Sequence, residues 1–295
     1  MTNRMRVIVA YDGSECADAA LDDLWSAGLP DDTQFKVLSV LEHWLPPPSG
    51  LEVVEHIDYH DEYKALAARA VARLRSMRPS WEVDAEVCSG SAATAIIEKA
   101  DEWKPDLLVV GSHGRTALGR FFFGSVSQKL SHDAHCSVRV SRGRVKEPGA
   151  PVRLIVGVDG SKGAEVAVRS AASREWPKGS EVRVVNASWT VPNLTPPLAS
   201  GPIINWFHEE NARVKTAVDG AVARLNDIGL RAESVIEEGL PKEVLVRISE
   251  KWGADCIFLG ARGRGRLERF LIGSVSSAVV ARAHCSVEVT REPGH

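Results

Sequence analysis

Two glycine-bracketed stretches hold the residues whose types and spacing bear most directly on chemistry. Gly111-Ser112-His113-Gly114 is followed, after nine intervening residues, by Gly124-Ser125-Val126-Ser127; Gly260-Ala261-Arg262-Gly263 is followed at the same spacing by Gly273-Ser274-Val275-Ser276. A glycine at the end of a strand lets backbone N–H groups come close to a ligand. A Gly-Ser pair opening a helix presents unpaired N–H groups at the positive end of the helix dipole. The two features together suit the oxygens of a phosphate. Ser125, Ser127, Ser274 and Ser276 would add hydroxyl donors, and Arg115 and Arg264, directly after the second glycines, would add positive charge. A tight turn followed by a capped helix explains one such stretch as well, but identical spacing in two stretches favours phosphate binding.

Asp12 and Asp159 each end a short apolar run and precede Gly-Ser. If that run lies beside the strand leading into the glycines, the carboxylate is placed to accept from sugar hydroxyls or to hold a water on Mg²⁺. Asp-Gly-Ser is also ordinary capping sequence. His113 invites a catalytic reading, yet its counterpart is Arg262, so a phosphate or edge contact made by a donor fits both better than a general base does. His135-Cys136 and His284-Cys285 have the look of metal ligands, but both cysteines open strands, which points to packing. Arg262, Arg264, Arg266 and Arg269 form a basic cluster beside one aromatic, Phe270, and read as a solvated loop or phosphate contacts rather than an RNA surface. No Gly-Lys dipeptide occurs, which excludes the P-loop fingerprint, and Gly263-Arg264-Gly265 meets Glu268 where a dinucleotide fingerprint needs glycine.

The elements that must position these residues come in two sets. Val7–Asp12 reappears at Ile155–Asp159, the aspartates being 147 residues apart, and the glycine stretches are 149 apart. Trp103 matches Trp252, and His135-Cys136-Ser-Val matches His284-Cys285-Ser-Val. A period of this length makes each copy a whole domain. In the first copy, strands are expected at 7–11, 35–41, 82–88, 107–111 and 136–141, and helices after Ser14 and at 58–77, 92–103 and 124–133. The second copy follows suit. Apolar runs of five residues alternating with helical periodicity define an α/β class, parallel strands with helices on both faces, and ligands bind there at the carboxyl ends of the strands. The domains are expected at 1–144 and 150–295, joined through Arg142–Val152 with its two prolines, while Trp44–Gly50 and Val191–Pro202 read as irregular, proline-rich connections.

The 295 residues, 44% hydrophobic and 25% charged, can bury ordinary cores. A net charge of −3 argues against coating nucleic acid or binding a membrane through a polybasic patch. No apolar run approaches a membrane span, so a cytoplasmic location is expected. Five scattered cysteines without a C-x-x-C pair read as reduced, mostly buried thiols.

On the glycine spacing and the strand-end aspartates, the chain resembles the universal stress protein family, specifically its tandem two-domain members and its ATP-binding branch. The resemblance covers nearly the whole chain. It implies two Rossmann-like domains, each a five-stranded parallel sheet of order 3-2-1-4-5, with ATP along the carboxyl edge and Mg²⁺ accompanying it near Asp12 and Asp159. It further implies that Ala10, Asp12, Val40, Gly111, His113, Gly114, Arg115, Gly124, Ser125, Val126 and Ser127 form one nucleotide site. Gly157, Asp159, Ala187, Gly260, Arg262, Gly263, Arg264, Gly273, Ser274, Val275 and Ser276 would form the other. Val40 and Ala187 would offer backbone to adenine. The copies differ at Ala10-Tyr11 against Gly157-Val158 and at Ser39-Val40 against Asn186-Ala187, so the two sites would differ in affinity or base preference. The family reading is a regulator with at most weak ATPase activity and no catalytic residues of its own. An enzyme of the same superfamily is the alternative, but its H-x-G-H or S-G-G-x-D motif is absent near the first strand; an interaction module that binds nothing is a third reading. An unidentified protein partner, an intrachain pseudo-dimer through the edge strands 136–141 and 285–290, and a homodimer complete the expectations.

Overall fold

The computed structural model describes residues 4–42, 59–114, 123–142, 146–188, 201–263 and 272–292, with backbone alone at 59 and 201–208. It divides into two compact units, one of Met1–Trp25, Leu29–Val145 and Pro293–His295, the other of Ser26–Gly28 and Lys146–Glu292.

The first unit runs β1 (Arg6–Ala10), α1 (Glu15–Asp23), β2 (Gln34–Leu41), α2 (Tyr59–Met77), β3 (Glu82–Ser89), α3 (Ala92–Trp103), β4 (Leu107–Gly111), α4 (Ser125–Asp133) and β5 (Ser137–Ser141). All its strand pairs are parallel, in the order β3-β2-β1-β4-β5. The second unit repeats the series as β6 (Arg153–Gly157), α5 (Lys162–Ala172), β7 (Glu181–Ser188), α6 (Gly201–Asp227), β8 (Arg231–Glu238), α7 (Pro241–Trp252), β9 (Cys256–Gly260), α8 (Ser274–Arg282) and β10 (Ser286–Thr290). Its order is β8-β7-β6-β9-β10, again all parallel. The expected strand order therefore holds in both copies. The irregular connections expected at Trp44–Gly50 and at 191–200 lie outside the described residues; Gly201 and Pro202, the end of the second one, belong instead to α6, and proline is at home in a first helical turn, where its missing N–H has no intrahelical acceptor to lose.

Continuous apolar runs become the central strands because they are covered on both faces. Val7, Ile8 and Val9 of β1 and Leu107, Leu108 and Val109 of β4 are fully buried, as are Leu154, Ile155 and Val156 of β6. Right-handed crossovers put helices leading one way along the sheet on one face and those leading back on the other. Hence α1 packs with α2 and α3 with α4; α5 and α6, and α7 and α8, pair likewise. Between β1 and β4, and between β6 and β9, the strand order reverses. The carboxyl ends flanking each reversal carry Asp12 with Gly111, and Asp159 with Gly260.

Each unit also buries an ion pair on its last strand. Arg139 of β5, 0% exposed, donates from Nε to Asp23 Oδ2 at 2.7 Å and from Nη2 to Oδ1 at 3.1 Å. At the matching place in β10 stands Glu288, also 0% exposed, whose Oε1 accepts from Arg174 Nη2 at 2.5 Å and from Ser170 Oγ at 3.2 Å. The sign of the strand charge is inverted between copies.

The five cysteines are free thiols, with Cys136, Cys256 and Cys285 buried. His135 meets Asp101 of α3 at 2.6 Å and His284 meets Glu250 of α7 at 2.7 Å, so each histidine pairs with a carboxylate of the corresponding helix. No group of metal-ligating side chains occurs among the described residues. No described helix is long and apolar enough to cross a membrane.

Candidate functional site

At the end of β1 the chain turns through Asp12, Gly13 and Ser14. Gly13 takes φ +75°, as does Gly160 in the second unit, a left-handed conformation that glycine adopts without strain. The turn is held by Asp12 Oδ1, which accepts the Ser14 N–H at 3.0 Å, while Ser14 Oγ accepts the Ala17 N–H at 3.2 Å and caps α1. Asp159 and Ser161 repeat this, with Ser161 N–H to Asp159 Oδ1 at 3.0 Å and Ala164 N–H to Ser161 Oγ at 3.2 Å. The serine, not the aspartate, is thus the helix cap. The second carboxylate oxygen faces the glycine loop: a Cβ on Gly114 would lie 3.1 Å from Asp12 Oδ2, and one on Gly263 would lie 2.7 Å from Asp159 Oδ2.

Behind the aspartates, β2 and β7 fix where the turn begins. Ser39 Oγ donates to the Tyr11 carbonyl at 2.8 Å, and Asn186 Nδ2 donates to the Val158 carbonyl at 2.7 Å. Ser39 and Asn186 differ in type but serve the same contact. Val40 and Ala187 follow them, half-buried near the ends of β2 and β7.

On the other side of the loop, α4 and α8 start differently from α1 and α5. Their N-caps are Gly124 and Gly273, no side chain caps them, and no acidic residue lies in their first turns. The first intrahelical bonds are Gln128 N–H to the Gly124 carbonyl and Ser277 N–H to the Gly273 carbonyl, both 2.9 Å. The N–H groups of Ser125, Val126 and Ser127, and of Ser274, Val275 and Ser276, precede them and have no acceptor within the helix. Three N–H groups without an intrahelical acceptor, at a positive helix end whose own first turn holds no carboxylate, form a receptive place for an anion. Ser125 and Ser274 are exposed there. The loop is latched to the helix by Gly124 N–H on the Ser112 carbonyl, 2.9 Å, and by Gly273 N–H on the Ala261 carbonyl, 2.7 Å.

Several candidates hold the site together rather than face into it. Buried Ser127 donates its hydroxyl to the Ser112 carbonyl at 3.1 Å and buried Ser276 donates to the Gly260 carbonyl at 2.7 Å, so their hydroxyls are engaged in the latch and only their N–H groups are open. Gly111 makes room for α1: a Cβ there would meet the Cys16 carbonyl oxygen at 2.7 Å. Gly260 does the same against the backbone of Gly163. These glycines therefore permit close helix–strand packing, a reason for glycine that the spacing did not suggest. Ala10 lies buried at the end of β1, and the place of a side chain on Gly157 is taken by Leu259.

His113 Nδ1 lies 2.8 Å from Ser112 Oγ and 3.9 Å from Cys16 Sγ, and Nε2 is buried without a hydrogen-bond partner among the described residues. Burial, with the Arg142 guanidinium, pushes its pKa below the ordinary histidine value. It therefore sits at the loop as a neutral ring and not as a positive charge. Arg262 is half-buried in the corresponding place. Arg115 and Arg264 lie outside the described residues.

One polar group beside the site carries no motif signal. The Tyr11 hydroxyl donates to Asp18 Oδ1 at 2.6 Å and accepts from Arg69 Nη2 at 2.7 Å, between α1 and α2. Burial and the Asp18 carboxylate raise the Tyr11 pKa, so the phenol keeps its proton. The only sequence clue was a tyrosine closing an otherwise aliphatic run.

The family model of the universal stress protein family matches residues 3–142 and again 152–291. Universal stress protein Rv2005c of Mycobacterium tuberculosis is 28% identical over 299 residues, spanning 97% of this chain and 97% of that protein. Universal stress protein Rv1996 of the same organism is 24% identical over 311 residues, spanning 97% of this chain and 95% of its own length. Among solved structures, a universal stress protein from Archaeoglobus fulgidus superposes with a TM-score of 0.67 at 20% identity, covering 98% of this chain and 96% of that one. At that identity the likeness shows the fold. With two complete matches of the family model on two repeats of one fold, the chain belongs to the universal stress protein family as a tandem member.

Proposed function

We propose that this protein is a nucleotide-dependent stress-response regulator that binds ATP at up to two sites, one per unit. The observation that carries the reading is the pairing, twice in one chain, of an uncapped Gly-Ser helix start with a glycine loop whose second glycine abuts the strand-end aspartate. The open N–H groups of Ser125–Ser127 and Ser274–Ser276 would take phosphate oxygens, with the Ser125 and Ser274 hydroxyls beside them. Asp12 and Asp159 would accept from the ribose or orient water on a Mg²⁺ ion held chiefly by the phosphates, which is how that ion is often bound. The residues present fit both groups: donors where the phosphates need them, and at each loop a carboxylate oxygen that faces the second glycine.

The same contacts support slow turnover. Donors fixed on the phosphates of bound ATP stabilise ground state and transition state to similar extents, which gives affinity without rate. Turnover is expected below about 1 s⁻¹, under the range of dedicated enzymes, with ATP acting as a conformational ligand for a protein partner.

Isothermal titration of nucleotide-stripped protein with ATP and Mg²⁺ tests the reading. Two binding events are expected, with Gly114→Ala weakening one and Gly263→Ala the other by tenfold or more, about 1.4 kcal/mol. Absence of ATP binding to the stripped wild type would refute it, and turnover above about 1 s⁻¹ that is lost in Asp12→Ala would make the protein an enzyme.

A further inference from the structure

The first helical pair is filled in one unit and hollow in the other. Tyr11 and Val158 are equivalent by backbone geometry: the Tyr11 N–H donates to the Leu38 carbonyl and the Val158 N–H to the Val185 carbonyl, both at 2.9 Å. Asp18 and Glu165 are equivalent too, since their N–H groups close the first turns of α1 and α5 on the Ser14 and Ser161 carbonyls. The apolar spacing that aligns Ala67 and Ala70 of α2 with Val218 and Ala221 of α6 aligns Arg69 with Gly220. In the first unit the Tyr11 phenol and the Arg69 guanidinium occupy the cleft between the helices and meet at Asp18. In the second unit both large side chains are gone. A cavity of ≈ 230 Å³ remains, floored by Val158, Ala164, Val168 and Ala221 and rimmed by Glu165 and Arg224.

We infer that this cavity is a binding site for a small monocyclic phenol, which takes in the second unit the place that the side chain of Tyr11 takes in the first. The size is right, because a dry apolar cavity of about 150 Å³ holds one benzene ring. The chemistry is right as well. The floor is aliphatic and buried, and Glu165 stands where Asp18 accepts the Tyr11 hydroxyl, so a phenol O–H has a carboxylate to donate to. Positive charge at the rim comes from Arg169 and from Arg224, which stands at the place of Arg73, a guanidinium 3.5 Å from Asp18 in the first unit. At Gly220 a Cβ would have nothing within 4 Å, so the mouth is open on the α6 side. The inference does not rest on nucleotide binding: none of the residues assigned to ATP contact lines the cavity, although Val158, Gly160 and Ser161, which do, flank Asp159.

The test is titration of the full-length protein with 4-methylphenol, the free form of a tyrosine side chain, followed by calorimetry or ligand-observed NMR. One saturable site per chain is expected. Val158→Tyr, which rebuilds the side chain of the first unit, should weaken binding at least tenfold, and Gly220→Arg should weaken it severalfold by closing the mouth. Tyr11→Val with Arg69→Gly should add a second site. Toluene should bind more weakly than 4-methylphenol, and Glu165→Gln should narrow that difference. Lack of saturation with the wild-type protein overturns the inference, as does unchanged affinity in folded Val158→Tyr. Should Val158→Tyr fail to fold, unchanged affinity in Gly220→Arg, at an exposed helical position, overturns it equally.

Discussion

Gly111 and Gly114 carry the same letter and have different reasons to be glycine. A methyl at Gly111 would press on the Cys16 backbone at 2.7 Å, which neither α1 nor β4 can relieve by rotating a side chain. Gly111→Ala should therefore lower global stability by about 1–3 kcal/mol, the usual range for overpacking, in chemical or thermal denaturation of the nucleotide-free protein. Gly114→Ala faces, among the described residues, one carboxylate oxygen at 3.1 Å and no backbone, and should leave that stability nearly unchanged while weakening ATP. His113 makes a separate prediction. Its pKa is depressed in the folded protein, so between its folded and unfolded values the unfolded chain binds more protons. The contribution is fully present above about pH 6.5, the unfolded value, and is lost as pH falls below it. The stability of the wild type should decline from pH 7 to pH 5 more steeply than that of His113→Asn, as measured by urea denaturation at each pH. Residue types and spacing revealed where these groups cluster. They could not separate a glycine that admits a helix from one that faces a loop, nor a charged histidine from a neutral one, because both distinctions depend on neighbours a hundred positions away.

Helix starts show a contrast that the sequence only half discloses. Ser14 and Ser161 cap α1 and α5 with their own oxygens, so Ser161→Ala should cost about 1 kcal/mol of unit stability. The Gly-Ser starts of α4 and α8 are left open, and a carboxylate placed there should do two opposite things. Ser125→Asp should stabilise the nucleotide-free protein by about 0.3–1 kcal/mol through the helix dipole and remove ATP binding from the first site. A raised melting temperature together with one lost binding event is the expected pair of results; a lowered melting temperature with affinity intact would mean that the helix start has no anion to receive. Element types and order were legible from apolar runs and helical spacing, since both faces of each central strand are buried and each helix shows one apolar side. The start of α6 was not, because Pro202 reads as a breaker unless its place in the first turn is known.

Across the whole chain, duplication was the most legible feature and divergence the least. Repeated glycines and aspartates announce two equal domains, whereas Arg139 and Glu288 look like ordinary alternating strand residues until their burial is seen. Asp23→Ala removes a carboxylate that takes two hydrogen bonds from the buried Arg139 guanidinium and should destabilise the first unit by about 3 kcal/mol, the lower end for breaking a buried pair, a loss readable by thermal denaturation. The inverted signs also bear on how the chain avoids confusing its own parts. Two nearly identical sheets made on one polypeptide can exchange their last strands while folding, and hydrophobicity alone would not distinguish β5 from β10. If β5 enters the second sheet, Arg139 is brought to Arg174; if β10 enters the first, Glu288 is brought to Asp23. Either exchange would set a buried side chain against one of like sign, so the transposed signs are expected to disfavour the wrong strand during assembly and to keep the two halves from being interchangeable parts.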